Sequence, residues 1–188
     1  MFEFATATRI MFGRGSVTQA LPAIKQFGAR ALVVQGFAEQ YAQPILDSFK
    51  AAGISLTVYR VRGEPTIQSV QQAIEAARQH QAEMVIALGG GSAIDTAKAV
   101  AAMLANPGEL LDYLEVVGKG QTLRNPSLPC ITIPTTSGTG SEVTRNAVLE
   151  VPEKSVKVSL RSTYMLPSLA VVDPELTLSL PPKSTASS

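Results

Sequence analysis

Cysteine and histidine occur once each, as Cys130 and His80, and tryptophan is absent. One cysteine excludes an internal disulfide framework and a cysteine-rich zinc site. One histidine excludes a metal site built from several imidazoles of these residues. Neither sign of charge dominates: 16 Lys and Arg face 15 Asp and Glu, a net of +1. Such a balance creates no global field to draw nucleic acid or an anionic membrane. Long apolar runs are also missing, since none approaches the ~20 residues of a membrane span. The opening Met1-Phe2-Glu3-Phe4 has no basic region leading into an apolar one. A soluble, cytoplasmic protein with neither nucleic-acid nor membrane partners is therefore expected. What is present is apolar material, 45% against 16% charged residues over 188 positions. That is the reverse of a disordered composition and ample for one buried core.

The apolar residues alternate between strand-like and helix-like spacing. Ala31–Val34 is a short buried-type run. A helical stretch comes next with Tyr41, Ile45, Phe49 and Ala52 on one face, Pro44 in its first turn and Gly53 as left-handed C-cap. Ile54–Tyr59 reads as a strand, then a turn at Gly63-Glu64-Pro65 leads to a helix bearing Ile67, Val70, Ile74 and Ala77. Met84–Leu88 is a second buried strand, followed by a helix with Ile94, Ala97, Ala101 and Leu104. Cys130–Ile133 and Leu169–Val172 are further strands. Val143–Val151 and Ser155–Leu160 form a hairpin around Pro152. Phe2–Phe12 is expected as a strand pair, before a helix opened by Ser16 and Gln19 at capping-box spacing. Residues 106–129 are turn-rich. Repeated β-α-β units predict an α/β, Rossmann-like parallel sheet with helices on both faces and a β-hairpin excursion.

The most informative stretch is Leu88-Gly89-Gly90-Gly91-Ser92-Ala93-Ile94-Asp95. A buried strand runs into three glycines and a helix begins at once. Glycines let a ligand approach the backbone, and a helix N-terminus offers free N–H groups and a positive dipole end. Together they make a phosphate cradle at the carboxyl end of a parallel strand. The spacing is neither Gly-x-Gly-x-x-Gly nor a P-loop. A plainer reading makes Ser92 an N-cap with Asp95 completing a capping box, but three glycines exceed what a cap needs. A second loop, Pro134-Thr135-Thr136-Ser137-Gly138-Thr139-Gly140-Ser141-Glu142, also lies after a strand. Its hydroxyls and glycines can hydrogen-bond phosphate or ribose. Two such loops on one sheet suit a dinucleotide, which spans neighbouring loops.

These motifs, with Lys98, Val143-Thr144 and Val172-Asp173-Pro174-Glu175-Leu176-Thr177, resemble the iron-containing (group III) alcohol dehydrogenase family in order and in gaps. The resemblance spans essentially the whole chain. It implies a dinucleotide-binding domain over residues 1–180. Residues 181–188 then start a linker toward an all-helical metal-binding domain absent from these residues. It implies that the cofactor pyrophosphate lies on Gly89, Gly90, Gly91 and Ser92, near Ala93, Ile94 and Asp95. Thr135, Thr136, Gly138 and Thr139 are implied to touch the adenosine side. Lys157 is implied to reach the nicotinamide-side ribose and Val148 to lie near the nicotinamide.

Two departures from the family pattern matter. NAD-using members often carry an Asp after the first long strand, where it bonds the ribose 2′-hydroxyl and repels a 2′-phosphate. Gly36 stands there, so either NAD or NADP is permitted. The family's metal ligands, one Asp and three His for iron or zinc, lie beyond a segment like Leu180-Pro181-Pro182. No metal ligand and no catalytic residue is therefore expected among these 188 residues.

Other residues read as structural. His80 is expected in solvent, Cys130 as inert packing, and Lys98 as a surface lysine with a packed stem. The Asp173-Pro174-Glu175-Leu176-Thr177 run is expected to end a strand and cap a helix at or near Thr177, and Glu142 has no visible partner. The implied chemistry is metal-assisted hydride transfer between the nicotinamide cofactor and a small alcohol or aldehyde, in a homo-oligomer. A nucleotide-binding or self-associating module without catalysis is the alternative. Glycerol dehydrogenases, lactaldehyde reductases, maleylacetate reductases and dehydroquinate synthase are further relatives in plan. Residues 1–188 are expected to bind NAD or NADP weakly and not to oxidise alcohols; metal-dependent turnover by the purified chain contradicts this.

Overall fold

A computed structural model describes residue 2 and residues 4–181. In chain order the strands are β1 (Ile10–Phe12), β2 (Arg30–Gln35), β3 (Ser55–Arg60), β4 (Met84–Gly89), β5 (Cys130–Pro134), β6 (Asn146–Val151), β7 (Val156–Arg161) and β8 (Leu169–Val172). The helices are α1 (Ser16–Lys25), α2 (Glu39–Ala51), α3 (Ile67–Gln79), α4 (Gly91–Ala105) and the short α5 (Leu110–Tyr113). Six strands make one sheet in the order β1-β8-β5-β4-β2-β3, every pair parallel. β6 and β7 form a separate antiparallel pair.

Alternation along the strands divides the core. Leu32, Val34, Val85 and Ala87 face α3, α4 and the β6–β7 hairpin. Ala31, Val33, Met84, Ile86 and Leu88 face α1 and α2, where Ile24 and Phe49 are fully buried. Both faces of the central strands are thus dry, as a parallel sheet requires.

α4 differs from the other helices because ten of its 15 residues are buried. A helix apolar around its circumference needs cover on every side. The sheet and α3 cover much of it, and Ala147, Leu149 and Val151 of β6 belong to the same apolar cluster. The hairpin is therefore packing for α4.

β2 sends its chain into α2 on one face, and β4 sends its chain into α4 on the other. A crevice opens at the carboxyl ends of these neighbouring strands, where open α/β sheets receive ligands.

Several local expectations need correction. Residues 2 and 4–9 carry no strand, so the predicted pair reduces to β1, which runs parallel to β8. No Gly or Pro stands within 2–12 to reverse the chain. The N-cap of α1 is Gly15 in the left-handed region, not Ser16, whose Oγ is buried without a partner. Pro44 is the sixth residue of α2 rather than part of its first turn. The buried stripe of α2 is Ala42, Leu46 and Phe49, while Tyr41 is 45% exposed. The first hairpin strand starts at Asn146, because Ser141–Val143 forms a 3-10 turn. His80 is half-buried at the C-cap of α3, where its Nε2 donates to the Ser55 carbonyl at 3.1 Å. The cap after β8 is Asp173 rather than Thr177: Asp173 accepts from the Glu175 N–H at 3.1 Å, and Thr177 ends the 3-10 turn that follows. Residues 182–188 of the expected linker lie outside the described residues.

Cys130 is free and buried at the start of β5. Burial pushes its thiol up to about 12 from 9.0. The unfolded chain therefore ionises first, and this group's stabilising contribution, intact below pH 9, is lost between pH 9 and about 12. Thiol reagents are expected to modify Cys130 only on unfolding, and Cys130→Ala to flatten the alkaline fall in stability. Rapid labelling of the native protein contradicts the buried placement.

Candidate functional site

Three strand ends build the site. β4 ends at Gly89, and both flanking loops bond to its end. Gly36 N–H donates to the Leu88 carbonyl at 2.9 Å, and Thr135 N–H donates to the Gly89 carbonyl at 3.0 Å. The spacing is set by missing side chains. A Cβ on Gly89 would stand 2.8 Å from the Ala93 Cβ and 2.9 Å from the Gly36 Cα. One on Gly36 would meet the Ala93 Cβ at 3.0 Å, and one on Gly90 the Thr136 Oγ1 at 3.0 Å. Gly89 is thus required by packing between β2 and α4. Gly90 allows Thr136 to approach.

α4 begins directly above. Its N-cap is Gly90, so Ser92 sits inside the first turn and the expected Ser92–Asp95 capping box does not form. The first intrahelical bond runs from Ile94 N–H to the Gly90 carbonyl at 3.1 Å. The N–H groups of Gly91, Ser92 and Ala93 precede it and point out of the helix end. They open into a cleft of about 470 Å³. Of the residues expected there, Gly36, Gly90, Gly91, Ser92, Thr135 and Thr136 line it.

The remaining candidates sit around that cleft. Thr139 borders it: its Cγ2 lies 3.7 Å from where a Cβ on Gly91 would stand. Gly138 turns the loop at φ 114°. Val148 lies on β6 behind α4, and its N–H donates to Asp95 Oδ2 at 3.1 Å. Lys157, on β7, is half exposed and pairs with Glu64 at 3.2 Å, beside Gly63 of the cleft wall. The wall residues Phe37, Tyr41, Val61, Ser179 and Leu180 carry no motif that marks them in the sequence. Phe37 and Tyr41 stack with ring centroids 5.5 Å apart. The one signal for them is a pair of aromatics four positions apart next to Gly36, and placing Tyr41 on the core face of α2 hides it.

The largest departure concerns Lys98. Its ammonium is not in water: the residue is 1% exposed. Nζ donates to the Ser141 carbonyl at 2.9 Å, to Thr144 Oγ1 at 3.2 Å and to the Asn146 carbonyl. It also pairs with Asp95 Oδ1 at 3.3 Å, one turn earlier on α4. Burial is the largest influence on both partners. It raises Asp95 and lowers Lys98, and the charge of each pulls the other back. This pair ties residues 141–148 to the glycine-turn helix, so one helix positions both loops. Among the described residues no group of three or more His, Cys, Asp or Glu side chains is disposed to hold a metal ion. No helix among them is long and apolar enough to cross a membrane.

A parallel sheet with a glycine turn, a free helix N-terminus and a second polar loop around one cleft defines a Rossmann-like α/β architecture. The chain belongs to the iron-containing alcohol dehydrogenase family, whose model matches residues 7–174. It is 37% identical over 190 residues to the sulfoacetaldehyde reductase of Bilophila wadsworthia, covering 98% of this chain and 48% of that protein. It is 38% identical over 183 residues to long-chain-alcohol dehydrogenase 1 of Geobacillus thermodenitrificans, covering 93% and 45%. Among solved structures, the sulfoacetaldehyde reductase of Bifidobacterium kashiwanohense in complex with NAD+ superposes with a TM-score of 0.87. It is 33% identical, with 100% of this chain and 50% of that one covered. The chain thus spans about half the length of these relatives.

Lys98→Met is expected to destabilise the fold by about 3–5 kcal/mol, because it strands Asp95 and several buried carbonyls. Urea denaturation measures this; a loss below about 1 kcal/mol contradicts the role assigned to the pair.

Proposed function

We propose that this chain is the nicotinamide-dinucleotide-binding half of a metal-dependent alcohol dehydrogenase or aldehyde reductase. The observation that carries the reading is the floor of the cleft, where the N–H groups of Gly91, Ser92 and Ala93 face open space beside Gly90. A pyrophosphate fits that cradle, since its oxygens accept N–H bonds and its charge meets the positive helix end. The cofactor supplies the hydride chemistry, and the protein orients it. The complex of a relative with NAD+ supports the choice of dinucleotide.

The residue roles come from position. Gly89 holds strand against helix, and Gly90, Gly91 and Ser92 cradle the pyrophosphate. Thr135, Thr136 and Thr139 offer hydroxyls along one wall, with Gly138 shaping their loop. Asp95 acts through Val148, fixing the hairpin that carries Val148 toward the nicotinamide and Lys157 toward its ribose. Gly36 leaves room and no negative charge at the adenosine ribose, so NAD and NADP are both accepted. Substrates are small alcohols or aldehydes, and the protein works in the cytoplasm. Iron or zinc enters with the family, and no cluster among the described residues is disposed to hold it. Exposed Ile10 and Phe12 on the outer strand β1, with exposed Phe4 ahead of it, support self-association.

Gly91→Ala tests the reading. The added Cβ meets only ordinary contacts, 3.6 Å from Ser141 Oγ, so the fold persists while the gap between the loops fills. Calorimetry is expected to show NAD+ and NADP+ binding weakened about tenfold or more, a loss of ~1.4 kcal/mol. Wild-type affinity in a folded Gly91→Ala protein contradicts the cradle.

A further inference from the structure

A second, smaller cleft of about 320 Å³ adjoins the first and shares Gly36, Phe37, Ala38 and Val61 with it. Its outer wall is basic. Arg60 ends β3 directly beside Gln35, its registered partner on β2, and Arg62 stands two residues later on the same rim. Gln35 Nε2 donates to the Phe37 carbonyl at 2.9 Å and fixes the turn that presents Gly36. Arg60 Nη2 pairs with Glu39 Oε1 at 2.5 Å, and both side chains are about half exposed. The ion pair therefore stands at the mouth of the cleft, open to a competing anion.

We propose that Arg60 and Arg62 form a seat for the 2′-phosphate of an adenine dinucleotide, with Glu39 as its built-in competitor, so that this rim sets the preference between NADP and NAD. The proposal rests on the cofactor reading above. In sheets of this type the end of the strand beside the glycine turn meets the adenosine ribose, and a nearby arginine accommodates a 2′-phosphate. Gly36 removes the carboxylate that would repel it. The guanidinium fork matches phosphate geometry. A phosphate carries more charge than one carboxylate, so it displaces Glu39 from Arg60.

The test is calorimetric titration of the protein with NAD+, NADP+, 5′-AMP and adenosine 2′,5′-bisphosphate, repeated on Arg60→Ala, Arg62→Ala and Glu39→Gln. These exposed side chains leave the core intact. Loss of either arginine is expected to raise the ratio of NADP+ to NAD+ dissociation constants about tenfold, and the bisphosphate-to-AMP ratio likewise. Glu39→Gln is expected to lower both ratios. Dinucleotide binding whose ratios are unmoved by all three changes overturns the phosphate seat and leaves the cofactor reading standing. No binding of any of the four ligands to the wild-type protein overturns the cofactor reading, and the seat with it.

Discussion

Lys98 carries a charged group into the interior of a largely buried helix, and the site's shape depends on how that charge is satisfied. An unpaired ammonium there would cost several kcal/mol. Asp95 and the oxygens of Ser141, Thr144 and Asn146 compensate it. None of these oxygens belongs to the six-stranded sheet. Apart from the Asp95 carboxylate, they come from the stretch that leaves the threonine-glycine loop and enters the hairpin. Satisfying one lysine therefore places the second loop against the first. The hairpin in turn covers the face of α4 that the sheet leaves bare, so packing and electrostatics require the same arrangement.

The cleft that results is built from backbone. Gly89 and Gly36 let β2 and α4 approach until any Cβ would clash. The loops on both sides hydrogen-bond to the last carbonyls of β4. The N–H groups of Gly91, Ser92 and Ala93 are left facing the opening. Side chains then decide detail: threonine hydroxyls on one wall, stacked Phe37 and Tyr41 on another, and arginines at the outer rim. This division suits a ligand whose pyrophosphate is constant and whose ends vary.

Much of this is legible in the residues. Apolar runs at 31–34, 84–88 and 130–133 suit strands buried on both faces, and β2, β4 and β5 are that. The glycine run marks the cleft because a Cβ on Gly89 or Gly90 would crowd Ala93, Gly36 or Thr136. Local caps are less legible. Ser16 and Ser92 have capping chemistry, but Gly15 and Gly90 hold the cap positions. Backbone conformation, which side-chain spacing does not encode, chooses between them. At Lys98 the usual rule that lysine heads reach water fails. Its neighbours hold the warning. Gly91–Ala105 offers no polar face, so a lysine in its middle has no solvent to reach, and Asp95 waits one turn away. The second cleft needs the fold itself, since Arg60 and Gly36 meet only through the pairing of β2 with β3.

The proposed role of the two loops held by Lys98 is to seat a dinucleotide pyrophosphate at the start of α4. A crystal structure of the protein grown with NADP+ tests it most directly. Pyrophosphate density is expected beside the N–H groups of Gly91, Ser92 and Ala93, with the Lys98–Asp95 pair intact behind it. Bound cofactor elsewhere on the molecule, with that helix end facing only water, would contradict it.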